Sequence, residues 1–217
     1  TLTGAAVPVM IGISAAWADG FFRPVPALLC FLFAFLMQID ANFINDYYDD
    51  EGWWALAWIE ASKLTGEKKY LDMAEIIFDD MTTGWSDACG GGIFWKKNPL
   101  HYKNSIANNL FSLTAIRLYK ATQNPAYLDW FKKNVDWYTQ TGMINTDIYQ
   151  IEDGTKDDCT PNRNAHYTYN QGVAIAVLAE MYLQTNDKSY LELAEKIADA
   201  TITTQLVTDE GILREMK

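Results

Sequence analysis

Between Asn45 and Trp54 the chain reads NDYYDDEGWW, three aspartates and a glutamate within six residues beside four aromatic rings. Acids at this density suit two chemistries: holding a magnesium-bound diphosphate, or supplying a carboxylate pair that breaks a glycosidic bond. Neighbouring carboxylates resist each other's ionisation, so one of Asp49 and Asp50 is expected to keep its proton near neutral pH. Tyr47, Tyr48, Trp53 and Trp54 would add desolvation. At a helix start adjacent side chains diverge by about 100°, yet their carboxyl groups can stay within about 5–6 Å, the spacing of a retaining glycosidase. The plainer alternative is an acidic cluster that favours a helix dipole.

Composition narrows the choice. The 217 residues are 49% apolar, enough for a substantial core, and the net charge of -11 with 17 scattered basic residues excludes a nucleic-acid partner. Aromatics reach 14%, with eight Trp and twelve Tyr; such rings stack on sugars, although most simply pack. Only His101 and His166 are available, too few for a His-based metal site or triad, so chemistry must run on carboxylates. Cys30, Cys89 and Cys159 are odd in number and widely spaced, which signals neither a disulfide framework nor a zinc motif, though Cys89 and Cys159 could still pair.

Two compositions follow each other. Residues 1–45 hold two apolar runs, AAVPVMIGISAAWA and VPALLCFLFAFLMQI, that read as membrane-like helices forming a hairpin; a buried hairpin in a soluble protein is the other reading. No basic n-region or A-x-A site marks a signal peptide. From residue 50 onward apolar residues recur at helical spacing. TGEKKYLDMAE, TQNPAYLDWFK and TNDKSYLELAE repeat one unit, a turn opening a new helix. The spacing predicts three αα-hairpins: 52–64 with 68–83, 103–121 with 125–139, and 168–184 with 188–204. Gly66 or Asn186 permits a left-handed exit, and Asp or Pro suits the next start. A hairpin cannot bury its apolar face alone, so the units must stack into an all-α array or toroid. The two long loops between hairpins, rich in Gly, Asn, Asp and aromatics, would surround a groove at one end.

YYDDEGWWALAWIEASKLTGEKKYLDMAEIIFDDMTTGW, CGGGIFWKK and YTYNQGVAIAVLAEMY together resemble glycoside hydrolase family 76, the endo-α-1,6-mannanases, over about residues 46–217. The resemblance implies an (α/α)6 barrel, of which three hairpins make a half, and retaining hydrolysis of α-mannan oligosaccharide or polysaccharide. It gives Asp49 as nucleophile and Asp50 as general acid/base. It sets Asp153 against substrate hydroxyls, Trp95 and Tyr169 along subsites, and Asn170 and Gln171 in the groove wall. For Trp95, Tyr169, Asn170 and Gln171 the plainer alternative is a packed ring or a loop-stapling hydrogen bond. No metal or organic cofactor is required, and the family's location implies an extracellular, periplasmic or cell-surface protein.

TLTGAAVPVMIGISAAWADG with QIDANFINDYYD looks instead like the start of a menaquinone-pathway membrane prenyltransferase, with Asn45, Asp46 and Asp49 partly matching its magnesium-diphosphate signature. The expectation is a chain that crosses from one family to the other inside DYYD, with membrane contact through residues 1–45. A non-catalytic sugar-binding α/α module is the third reading.

Overall fold

The computed structural model describes residues 43–98, 102–163, 166–203, 207–208 and 211–213. The apolar hairpin expected over 1–45 lies, except for its last three residues, outside them. Six helices form three hairpins: α1 (Tyr48–Thr65) with α2 (Lys68–Thr82), α3 (Ser105–Thr122) with α4 (Pro125–Tyr138), and α5 (Thr168–Thr185) with α6 (Lys188–Thr203). The repeated turn makes each hairpin for the expected reason. Gly66, Gln123 and Asn186 all adopt left-handed backbone (φ 73°, 60° and 57°), and their N–H groups close onto Ser62, Tyr119 and Tyr182 carbonyls. The next helix then starts on a local acceptor: Asn124 Oδ1 takes the Ala126 N–H at 3.1 Å ahead of Pro125, and Asp187 Oδ1 takes the Ser189 N–H at 2.9 Å.

Within each hairpin the two helices pack together, and α1, α3 and α5 pack side by side in a row. Sequence explains which helix goes where. In α3 thirteen of eighteen residues are buried, so it needs neighbours all round; α2 buries only Ala74, Ile77, Phe78 and Met81, one face at helical spacing. Gly52 sets the approach of α1 to α3, because a Cβ there would lie 2.7 Å from Leu110 Cβ. Phe78 stacks on Phe111 at 4.8 Å, while Tyr127 and Trp130 meet that pair edge-on, joining the first two hairpins. Burying Phe78, Phe111 and Tyr127 contributes about 1.5–3 kcal/mol each. Trp137, Tyr138, Met143, Ile151, Leu178 and Ile197 form a second core under the loop before α5.

An all-α reading misses one element. The loop before α5 contains β1 (Ile144–Asn145) and β2 (Gln150–Ile151), antiparallel, with Ile144 opposite Ile151. Ile151 is fully buried, which is why so short a ribbon holds. Among the described residues no helix is long and apolar enough to cross a membrane.

Candidate active site

The first turns of α1, α3 and α5 gather with both long loops. Tyr48 N–H donates to the Trp95 carbonyl at 2.9 Å and Lys97 N–H to that of Asp46 at 2.9 Å, laying the first loop against the start of α1. The loop before α5 joins it: Ser105 N–H donates to the Asp153 carbonyl at 2.7 Å, Thr155 N–H to that of Lys103 at 2.9 Å, and Cys89 is disulfide-bonded to Cys159. The pairing that sequence left open is therefore made.

Asp49, Asp50 and Glu51 occupy the first turn of α1, where the helix dipole favours negative charge. They do different things. Glu51 is fully buried and pairs with Lys97 at 2.8 Å, and Lys97 also meets Asp80 at 2.5 Å, so the third acid anchors the loop. Asp49 Oδ1 is shut off from solvent and has no hydrogen-bond partner among the described residues. Burial first, and then the charge of Asp50, push the Asp49 carboxyl up to about 7; hydrogen bonds from the Trp95 indole and from the Asp49 and Asp50 N–H groups offset part of this. The raised group is thus the one given the nucleophile's role by resemblance.

Trp95 links the acids to the rest of the site. Its ring lies 5.0 Å from Tyr47 and edge-on to Tyr102 at 6.2 Å. Tyr102 OH donates to Asp153 Oδ2 at 2.6 Å, Asn162 Nδ2 donates to Tyr102 Oη at 2.9 Å, and Asn170 Nδ2 donates to Asp153 Oδ1 at 3.2 Å. Burial and the Asp153 carboxylate raise the Tyr102 phenol far above its ordinary value, so it remains a donor. Tyr169 stacks flat on Tyr167 at 5.1 Å. Two groups result, Asp49–Asp50–Trp95 and Asp153–Tyr102–Asn170, joined through the Trp95–Tyr102 ring contact. Gln171 stands apart: fully buried, its amide accepts from Ile151 N–H at 2.8 Å and donates to the Ile151 and Tyr167 carbonyls, so it staples β2 to α5.

Sequence reasoning missed Tyr102 and Lys103. Lys103 is 2% exposed, donates to the carbonyls of Ser86 (2.7 Å), Ala88 (2.6 Å) and Gly91, and lies 5.0 Å from the Phe94 ring. Burial pulls its ammonium down to about 8. Neither residue stands in a motif of its own, and nothing local distinguishes a clamp lysine from a surface one. His166 faces the buried Glu152 at 3.3 Å, and His101 lies outside the described residues.

The model of glycosyl hydrolase family 76 matches residues 36–217, starting inside the stretch expected to belong elsewhere, and nothing in the comparisons supports a prenyltransferase. Mannan endo-1,6-alpha-mannosidase DCW1 of Saccharomyces cerevisiae is 29% identical over 181 residues, 77% of this chain and 40% of the relative. The GH76A alpha-1,6-mannanase from Salegentibacter sp. HEL1_6 is 27% identical with a TM-score of 0.80, over 93% of this chain and 60% of that one. An inactive variant of it, with two adjacent aspartates replaced by asparagine, is in complex with alpha-1,6-mannotriose; it matches with a TM-score of 0.78 at 26% identity, over 88% of this chain and 57% of that one. The Lin0763 protein from Listeria innocua is 35% identical, TM-score 0.73, over 79% of this chain and 49% of that one. The chain spans 35–40% of the length of the first curated relatives it matches.

Proposed function

We propose, because this chain belongs to glycosyl hydrolase family 76, that it cleaves the α-1,6-linked backbone of mannan with retention of configuration, Asp49 acting as nucleophile and Asp50 as general acid/base. The observation that carries the reading is an adjacent aspartate pair in the first turn of α1, with the Asp49 Oδ1 atom shut off from solvent and burial and the Asp50 charge raising that carboxyl to about 7. The relative inactivated by replacing two adjacent aspartates supports it. A pair that holds one proton near neutral pH can both attack and protonate, which a lone surface acid cannot.

In the first step an Asp49 oxygen bonds to the anomeric carbon, the glycosidic C–O bond breaks, and the departing oxygen takes the proton of Asp50. In the second, Asp50 removes a proton from water, the hydroxide displaces Asp49, and the mannose leaves with its original configuration. Burial and the Asp50 charge favour the protonated form of Asp49 before sugar binds, whereas attack requires its carboxylate. Trp95 stands beside Asp49, while Asp153, oriented by Tyr102 and Asn170, accepts from sugar hydroxyls, and Tyr169 offers a ring to a sugar face. Gln171 belongs to the wall and contacts no sugar. The catalytic unit is Asp46–Lys217, its hairpins one half of an (α/α)6 barrel, and the Cys89–Cys159 bond supports a place at the cell surface or outside the cell.

An aryl α-1,6-mannobioside with an acidic leaving group separates the roles. Asp50→Asn should keep fast aryl release and, with azide, yield the α-mannosyl azide; on unactivated oligosaccharide it should lose about a hundred- to ten-thousand-fold. Asp49→Asn should lose both substrates. The reverse pattern exchanges the two roles, and unchanged turnover in both variants removes the pair from the chemistry.

A further inference from the structure

A groove of about 340 Å³ opens beside the disulfide, and neither aspartate of the pair lines it. Trp85 and Asp87 reach it from the loop after α2, Lys133 and Trp137 from α4, and Gln140 and Thr141 from the turn that follows. These are second helices of their hairpins and their extensions. Asp49, Asp50, Tyr169 and Asn170 all come from the first helices, the row α1, α3, α5. We infer that this groove is a second carbohydrate site, which holds a mannan chain outside the active site.

The recognition chemistry is of the kind a neutral polyol needs. Trp85 is half-buried and braced: it lies 5.4 Å from Trp130, and the Lys133 ammonium stacks on both rings, at 4.1 and 4.7 Å. Lys133 enters no ion pair among the described residues, so its N–H groups are available to hydroxyls. Trp137 is locked by its indole donating to the Cys89 carbonyl at 2.9 Å, and that carbonyl belongs to a disulfide-tied turn. Asp87 and the Gln140 Oε1 atom bring acceptors to the same rim, since the Gln140 Nε2 group is spent on the Asp136 carbonyl at 2.6 Å. Two indoles, a cation and acceptors line a volume at the lower end of the roughly 300–1,000 Å³ typical of ligand pockets. A chain with a net charge of -11 disfavours anionic polymers, so the polymer inferred for this groove is a neutral polysaccharide. That the polysaccharide is mannan rests on the proposed function.

The test pairs kinetics with binding, using the full chain and the double variant Lys133→Ala/Gln140→Ala, with Trp85→Ala as a second variant. On a short α-1,6-mannotetraose the double variant should match the wild type. On polymeric mannan its KM should rise about fivefold, with kcat unchanged, and retardation of the protein in a mannan-containing native gel should weaken by the same factor. Equal KM and equal retardation for wild type and both variants would overturn the inference. Gel retardation needs no turnover, so a wild-type protein that cleaves nothing yet is retarded through Lys133 and Gln140 would uphold the groove while the hydrolase reading falls.

Discussion

Replacing Asp49 by asparagine should make the protein more stable, and only above acid pH. The carboxyl ionises near 3.8 in the unfolded chain and near 7 in the folded one, because burial and Asp50 penalise its charge. The folded state therefore binds the proton more tightly, and stability falls as pH rises from about 4 to about 7, then stays at its lowered level. A shift of roughly three pKa units corresponds to about 4 kcal/mol, a ceiling for what the charged carboxylate costs. Asparagine has the same shape, keeps an oxygen for the Trp95 indole and cannot ionise. In a chain this size each kcal/mol moves Tm by about 2–4 °C, so Asp49→Asn should melt several degrees above wild type at pH 8, up to about 15 °C. Near pH 4.5 the gap should shrink to about a quarter of that. Calorimetric scans of both proteins from pH 4.5 to 8.5 read this directly. A gap independent of pH, or none at pH 8, would show that the Asp49 carboxyl is not held in the charge-hostile setting on which the mechanism depends.

Three further outcomes follow from the packing. Cys89→Ser/Cys159→Ser opens a link between positions 70 residues apart, worth about 4 kcal/mol by loop-closure entropy, so Tm should drop, a reductant should do the same to wild type, and the variant should be indifferent to it. Tyr102→Phe removes the 2.6 Å donor to Asp153 and should raise KM for α-1,6-mannosides about five- to tenfold with kcat little changed; a pure kcat loss would contradict a binding role for Asp153. Gly92→Ala places a Cβ 2.3 Å from the Trp137 ring on backbone at φ 85°, and urea unfolding should show a loss of about 2 kcal/mol or more, whereas an unchanged midpoint would mean that the loop can relax.

The hairpins were legible because their signal is local and repeated. Gly66, Asn186 and the YL steps of the repeat mark turn and helix within a dozen residues, and the helices start and stop within four residues of the expected places. Gln123 is the exception, adopting left-handed backbone without a glycine's or asparagine's preference for it. The acid pair was legible by adjacency, and its neighbour Glu51 was not distinguishable from it: only Lys97, 46 residues away, turns one of three consecutive acids into an anchor. The site's cross-links share that property. Tyr102 to Asp153, Lys103 to the Ala88–Gly91 turn and Cys89 to Cys159 join positions 12 to 70 residues apart, and no periodicity announces such contacts. Gln171 shows the converse, a motif residue adjacent to the site whose amide is consumed by backbone.

The proposed reaction is hydrolysis of α-1,6-mannan through the paired aspartates. Proton NMR of α-1,6-mannohexaose mixed with the full chain, followed from the first minutes beside Asp50→Asn, tests it most directly. Short mannosides should appear first as the α-anomer and vanish in the variant. A folded wild type that releases nothing, a first-formed β-anomer, or release that persists in Asp50→Asn would contradict it.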